Sequence, residues 1–149
     1  MQMLPGYLDE TEVLLEKILM ESPKTWQAVH ANTLLAVIYS NRGTGNLYQE
    51  KPNIDTALSN YTLARRYSQE AIASVELIDD EALKDLIEIG KFASANEFKG
   101  LPYFIHAFSG QRLGYWQEAV CEYDKIIREF PETDSARNAR IMLQELGIE

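Results

Sequence analysis

Apolar residues recur at intervals of three and four along the whole 149-residue chain, and this spacing is the feature that most constrains its fold. Such spacing places apolar side chains on one face of a helix, whereas half-buried strands require strict alternation. The sequence shows that alternation over no useful length. It therefore predicts an all-α fold, and the length suits one helical domain covering 1–149.

Capping residues, glycines and prolines divide the chain into about seven expected helices. Asp9 caps the first helix, and Ser22 caps the second with Pro23 in its first position. The second helix is expected to end near Arg42, before a loop over 43–53 that finishes in an Asn53 cap. The inner face of the first helix is expected to carry Val13, Leu14, Leu15, Ile18 and Leu19. The later helices are expected over 54–77, 79–99, 102–113, 116–130 and 134–146.

The boundary near Gly100 has two interpretations. Gly100 followed by Pro102 is the usual order of signals after a helix, so a break at Gly100 is preferred. The alternative is one long helix over 80–113, kinked at Pro102 at a cost of about 3 kcal/mol.

Two segments of the chain repeat one pattern of small and aromatic residues. Ala57, Tyr61 and Ala64 follow one another at intervals of four and three, and Ala119, Tyr123 and Ile126 repeat those intervals. The seam of the earlier helix continues through Ser68, Ala71 and Val75. Small residues let two helices approach closely, and the tyrosine rings fill the gap toward the next hairpin. Gly43 and Gly114 are expected to supply left-handed turns before these helices, and Pro131 ends the later one.

This pattern resembles the tetratricopeptide repeat (TPR), a helix–turn–helix unit of about 34 residues with a Gly turn, an Ala then an aromatic residue, and a closing Pro. The resemblance covers "LGYWQEAVCEYDKIIREFP" within 100–133 best, and 134–149 then resembles a C-terminal capping helix. A second unit lies at about 29–72, with a loop insertion at 44–52. The sequence departs from the family at Gln69, where Pro is usual, at Gly110, where an aromatic is common, and at His106, where Leu is common; 79–99 matches poorly.

The resemblance implies TPR-like antiparallel hairpins in a short right-handed superhelical or bundle-like array, with a concave groove that binds a partner protein or peptide. The inner positions expected from the first unit are His30, Thr33, Val37, Ser40 and Asn41. Those expected from the second are Leu101, Phe104, Ile105, Phe108, Gln111 and Arg112. These residues are largely apolar, which argues against a carboxylate clamp and favours an amphipathic helix as the ligand.

Two alternatives to an open groove remain at this point. Phe104 and Phe108 can instead pack against the helix expected at 79–99, which fills the groove from within. The protein can also be a structural subunit whose groove closes a homodimer. The expected function is nevertheless an adaptor or scaffold that recognises another protein.

Composition argues against several other classes of partner. The net charge of −9 would repel a polyphosphate backbone, so nucleic acid is not an expected partner. The adjacent pair Arg65 and Arg66 is interpreted as a solvated helix face. No apolar stretch approaches a membrane span, and the first residues lack the features of a secretory leader, so a cytoplasmic location is expected.

No set of residues indicates catalysis or metal binding. His30 and His106, the chain's two histidines, have no liganding partner at helical spacing, so packing roles are expected for both. Cys121 is the single cysteine, and it is interpreted as a small apolar residue. We therefore expect a protein that is not an enzyme and has no catalytic residue, cofactor or metal.

Overall fold

The computed structural model describes residues 5–88 and 92–148, and within these ranges the protein has seven helices and no strand. The helices are α1 (Pro5–Glu21), α2 (Trp26–Leu47), α3 (Ile54–Val75), α4 (Asp80–Glu88), α5 (Ala95–Arg112), α6 (Trp116–Glu129) and α7 (Asp134–Glu145). The prediction of an all-α fold is confirmed.

Five of these helices form two layers. α3 packs against both α2 and α5, and α6 packs against both α5 and α7. α2 also contacts α5, and α5 contacts α7, so α2, α5 and α7 form one layer while α3 and α6 form the other. α1 lies against α2 at one end, and the short α4 makes a smaller contact with α5.

The small and aromatic seams lie in the core, as the sequence predicts. Ala57, Tyr61, Ala119 and Tyr123 are all buried, with at most 1% of their surface exposed. The buried residues of α3 are Ala57, Tyr61, Ala64, Ser68, Ala71 and Val75, which is the whole predicted seam. Small residues at this spacing let α3 approach α2 and α5 closely, and the tyrosine rings fill the remaining space.

The start of α2 differs from the prediction. Thr25 caps the helix, because its side-chain oxygen accepts a hydrogen bond from the backbone N–H of Ala28 at 3.3 Å. Ser22 lies in the preceding turn, where its carbonyl accepts a hydrogen bond from the Thr25 hydroxyl at 2.8 Å. The prediction of a Ser22 cap is therefore wrong.

The end of α2 also differs, because Gly43 does not make a turn. The helix runs through Gly43 to Leu47, and only 48–53 separates it from α3. Positive φ angles in the described chain occur at Gly114 and Gly147. The predicted turn at Gly114 is thus supported, whereas the expected insertion at 44–52 is partly an extension of α2. Asn53 caps α3 as predicted, by accepting a hydrogen bond from the N–H of Thr56 at 3.1 Å.

α1 begins earlier than its predicted cap. The helix starts at Pro5, so Asp9 lies inside it. Leu15 is buried and Ile18 and Leu19 are half-buried against α2, but Val13 and Leu14 are 64% and 62% exposed. The predicted inner face is therefore correct for three residues and wrong for Val13 and Leu14.

Both interpretations of the region around Gly100 are wrong. α4 ends at Glu88, and α5 begins at Ala95 with a Ser94 cap and continues through Gly100 and Pro102 to Arg112. Residues 89–91, within the predicted 79–99 helix, lie outside the described ranges. Gly100 is buried beside the Phe130 ring, where an added Cβ would meet ring carbons at 3.5 Å. The close contact between α5 and the Phe130 ring, and not a turn, therefore explains the glycine at position 100.

Candidate functional site

The predicted binding residues of α5 form a half-exposed aromatic stripe. Phe104 stacks on Phe108 with ring centroids 6.2 Å apart, and the Arg112 guanidinium lies 5.0 Å from the centre of the Phe108 ring. Leu101 extends the stripe by one turn and is also half-buried. The stripe thus places apolar surface and one cation at the boundary between core and solvent.

The two phenylalanine rings also pack on tyrosine rings of α3 and α6. Tyr123 of α6 lies 5.9 Å from Phe104, and Tyr61 of α3 lies 6.2 Å from Phe108. Phe104 and Phe108 therefore contact tyrosine rings of α3 and α6, and the alternative in which they pack on a helix at 79–99 stays a prediction, since 89–91 lie outside the described residues. Because part of each ring is held in the core, its position is fixed before any partner binds.

Four of the residues expected at inner positions lie inside the protein, namely Thr33, Ser40, Ile105 and Gln111. Thr33 is 2% exposed, and its hydroxyl donates a hydrogen bond to the Val29 carbonyl at 2.9 Å. Gln111 is 6% exposed, and its Oε1 accepts a hydrogen bond from the Tyr123 hydroxyl at 2.7 Å. Burial raises the pKa of Tyr123, so the hydroxyl keeps the proton that it donates. The prediction that Thr33 and Gln111 contact a partner is therefore wrong, because both side chains are buried and hydrogen bonded within the protein.

The predicted contact residues of α2 lie on the layer that α2 shares with α5. Val37 is half-buried and Asn41 is exposed. Near the same end of α2, Thr44 shares a 2.8 Å hydrogen bond with the Tyr61 hydroxyl, and the Tyr61 ring contacts Phe108. We define the groove face as the surface residues that remain from the predicted set: Val37, Asn41, Leu101, Phe104, Phe108 and Arg112.

Phe92, which sequence reasoning did not assign to the site, covers one end of this layer. Its ring lies 5.4 Å from His30 of α2 and 5.2 Å from Phe98 of α5, in edge-to-face contacts. Beside it is a cavity of about 390 Å³ lined by Phe92, Ala93, Glu97, Leu101, Asp134, Ser135, Arg137 and Asn138. The segment before α5 therefore fills part of the layer of α2, α5 and α7, while the stripe from Leu101 to Arg112 stays at the surface.

A second cavity lies between α3 and α6, and Arg65 bridges it. The Arg65 guanidinium donates to the His106 carbonyl at 3.2 Å, pairs with Glu118 at 2.7 Å and lies 5.0 Å from the centre of the Tyr115 ring. This cavity, of about 460 Å³, is lined by Arg65, Gln69, His106, Gln117, Glu118, Cys121 and Glu122. The interpretation of Arg65 as part of a solvated face is wrong, because its side chain is 20% exposed.

The same bridge explains the departure at Gly110. A Cβ at Gly110 would lie 2.1 Å from Nη1 of Arg65, so any larger residue would displace the guanidinium from this position. The sequence shows Gly110 as a departure from the repeat pattern but does not reveal the contact that explains it, because Arg65 lies forty-five positions earlier in the chain. Only the packing of α3 against α5 shows that this arginine faces this glycine.

The histidines have packing contacts, and the cysteine lies at the surface. His30 contacts Phe92 and Phe98, while His106 is 8% exposed with its Nδ1 atom 2.5 Å from Glu122 Oε1. Cys121, interpreted from the sequence as a small apolar residue, is exposed on α6. In the described ranges, no group of three or more histidine, cysteine or acidic side chains is placed to hold a metal ion.

Comparisons with known proteins give no family. Family models, curated proteins and solved structures all give no match to this chain. None of the helices in the described part of the chain combines the length and the apolar character needed to cross a membrane.

Proposed function

We propose that the protein is a non-enzymatic interaction module that binds an amphipathic helix or peptide of a partner protein on the groove face. The observation that carries the proposal is the half-exposed stack of Phe104, Phe108 and Arg112, held from below by Tyr61 and Tyr123. Aromatic and arginine side chains are enriched among residues that dominate binding energy at protein interfaces.

The order of helix contacts supports this proposal. α2 with α3, and α5 with α6, form consecutive hairpins. α2, the first helix of one hairpin, contacts α5, the first helix of the next, and α5 in turn contacts α7. A tetratricopeptide-like array has this order, and such arrays bind partners on the layer made by their first helices. The groove face lies on that layer, because its residues belong to α2 and α5.

The chemistry of the groove face indicates what kind of segment fits it. Leu101, Phe104 and Phe108 are spaced by three and four residues, which matches the spacing of apolar anchors on a partner helix. The net charge of −9 favours a partner whose solvent-facing side is basic, since complementary charge increases the rate of association.

The proposal is tested by selecting binders and then changing the groove face. A displayed library of random amphipathic peptides is selected on the full protein, and the affinity of the best peptide is measured by fluorescence anisotropy. Val37→Glu and Leu101→Glu each place a charge on the groove face and should weaken binding by at least about tenfold, or 1.4 kcal/mol. Their circular dichroism should remain helical.

A matched control introduces the same leucine-to-glutamate change at a residue outside the groove face. Leu77 is 83% exposed in the turn after α3, so Leu77→Glu should leave the affinity unchanged. Equal binding by the groove variants and the unaltered protein would contradict the proposal, as would a selection that yields no peptide with apolar residues at helical spacing.

A further inference from the structure

The outer face of α1 carries exposed apolar side chains among charged ones, although the helix already has an apolar inner face. Leu15, Ile18 and Leu19 pack toward α2, and the Glu12 carboxylate accepts a hydrogen bond from the Tyr39 hydroxyl at 2.7 Å. Outside this inner face, Val13, Leu14 and Met20 are 64%, 62% and 83% exposed, and the charged residues Glu10, Glu16, Lys17 and Glu21 are exposed beside them. The three apolar side chains fall within two turns of one helix.

This distribution indicates a second neighbour for α1. A surface helix of a monomer carries mainly polar residues opposite its buried stripe, and three large apolar side chains exposed among the charged ones depart from that pattern. α2 covers the inner face of α1, and the outer face carries no comparable contact within the described chain. Exposed apolar side chains grouped on one helix are typical of a protein–protein contact.

The charges on the outer face indicate which partner fits. Glu10 and Lys17 are both exposed on this face, and Val13 and Leu14 stand midway between them. If two copies of α1 pair antiparallel about that midpoint, Val13 of each copy faces Leu14 of the other. Glu10 of each copy then faces Lys17 of the other, so two ion pairs flank an apolar centre.

We propose that the protein forms a symmetric dimer through antiparallel pairing of the outer faces of α1. A twofold contact must be complementary to itself, and the order Glu10, Val13, Leu14, Lys17 satisfies that requirement. A parallel pairing in the same register would oppose Glu10 to Glu10 and Lys17 to Lys17, which like-charge repulsion disfavours.

The size of the contact sets the strength of the dimer. A contact of two to three helical turns from each copy buries less than the roughly 1,200 Å² typical of stable complexes, so the dimer forms in the micromolar range or above. The contact uses no residue of the groove face. The inference therefore stands independently of the proposed function, and a dimer would present two groove faces to one partner assembly.

Sedimentation equilibrium of the full chain, from low micromolar to near-millimolar concentration, tests the dimer. The average mass should rise with concentration from that of one chain toward that of two. Leu14→Glu should raise the dissociation constant by at least about tenfold, because it places like charges at the apolar centre of the contact. Leu77→Glu changes an exposed leucine outside α1 and should leave the dissociation constant unchanged.

A charge exchange tests the antiparallel register. Glu10→Lys and Lys17→Glu should each weaken dimerisation, since each opposes like charges across the contact, and the double variant should restore it. All four proteins should keep the same circular dichroism. A protein that stays monomeric at every concentration overturns the inference, and so does a dimer that tolerates Leu14→Glu or that the double variant does not restore.

Discussion

Two glycines of α2 stand two residues apart and serve different roles. Gly43 is buried against α3, and a Cβ added there would meet Cε1 and Cζ of the Tyr61 ring at 3.0 Å. The Tyr61 ring is 1% exposed, and its hydroxyl is hydrogen bonded to Thr44, so it cannot move away freely. Gly45 is exposed, and an added Cβ there would meet no atom within 4 Å.

Gly43→Ala should lower the free energy of unfolding by up to about 2 kcal/mol. Alanine favours the helix by about 1 kcal/mol relative to glycine, but overpacking a rigid core costs about 1–3 kcal/mol, and the clash with Tyr61 decides the sign. Gly45→Ala gains the helix propensity without the clash, so it should raise the free energy of unfolding by up to about 1 kcal/mol. Urea unfolding of both variants is the measurement, and stabilisation by Gly43→Ala would contradict the close packing of α2 on α3.

These glycines show what periodicity predicts and what it does not. The burial of Ala57, Tyr61, Ala119 and Tyr123 was predictable, because residues at helical spacing along one face share one environment. The role of Gly43 was not, because it depends on a ring contributed from another helix eighteen positions later. The sequence alone does not distinguish a glycine that ends a helix from a glycine that makes room for a ring of a neighbouring helix.

At the scale of the element, α1 depends on a polar contact with α2. The Glu12 carboxylate pairs with Arg42 and accepts a hydrogen bond from the Tyr39 hydroxyl at 2.7 Å. Burial alone would raise the pKa of Glu12, but the hydrogen bonds from Arg42 and Tyr39 outweigh it and hold that pKa below its ordinary value of 4.5. Burial and the neighbouring Glu12 raise the pKa of Tyr39 to about 12, so its hydroxyl remains a donor.

The attachment of α1 should therefore weaken in acid. Because the folded protein holds Glu12 deprotonated more strongly than the unfolded chain does, this contact stabilises the protein above pH 4.5. The stabilisation is lost as the pH falls through the lowered native pKa. Hydrogen exchange of α1 amides should accelerate in that range before exchange of the buried seam of α3.

Two variants separate this contact from general acid destabilisation. Glu12→Gln should be less stable than the unaltered protein at neutral pH, and the difference should shrink as the pH falls. Glu16 is exposed on the same helix, so Glu16→Gln should show no such pH-dependent difference. A difference between Glu12→Gln and the unaltered protein that stays constant with pH would contradict the proposed role.

The same scale explains why the boundary of α5 was not predictable. Gly100 and Pro102 are local signals that end helices, and together they favoured a break. In the fold, Gly100 admits the Phe130 ring and Pro102 is buried in the helix interior, so packing against neighbouring elements outweighs the local preference. The cap that starts α5 is Ser94, whose side-chain oxygen accepts a hydrogen bond from the N–H of Glu97 at 3.2 Å.

At the scale of the whole molecule, Arg65 joins the two hairpins. It starts on α3, crosses α5 at Gly110 and reaches Glu118 on α6, while its guanidinium also lies over the Tyr115 ring. The groove face depends on the relative position of α2 and α5, which belong to different hairpins. A contact that fixes one hairpin against the other therefore also fixes the groove face, although Arg65 lies in neither of its helices.

The groove face was predictable only in part, for the same reason. The spacing of Leu101, Phe104 and Phe108 places them along one side of α5, where all three are half-buried. Thr33 and Gln111 were misplaced because their burial depends on how tightly the neighbouring helices approach them. Phe92 was missed because it lies between helices, where no periodicity assigns a face.

Arg65→Ala should lower the free energy of unfolding by about 1–3 kcal/mol, because it removes a hydrogen bond to a buried carbonyl and a partly buried ion pair. Arg66→Ala changes the adjacent, exposed arginine and should stay within about 0.5 kcal/mol of the unaltered protein. Arg65→Lys should recover little of the loss, because an ammonium group cannot reach the carbonyl, the carboxylate and the aromatic ring together. Thermal unfolding compares the three variants, and hydrogen exchange should show the α3–α5 contact opening first in Arg65→Ala. If Arg65→Ala were as stable as Arg66→Ala, the hairpins would be held together by apolar packing alone, and the groove face would not depend on this bridge.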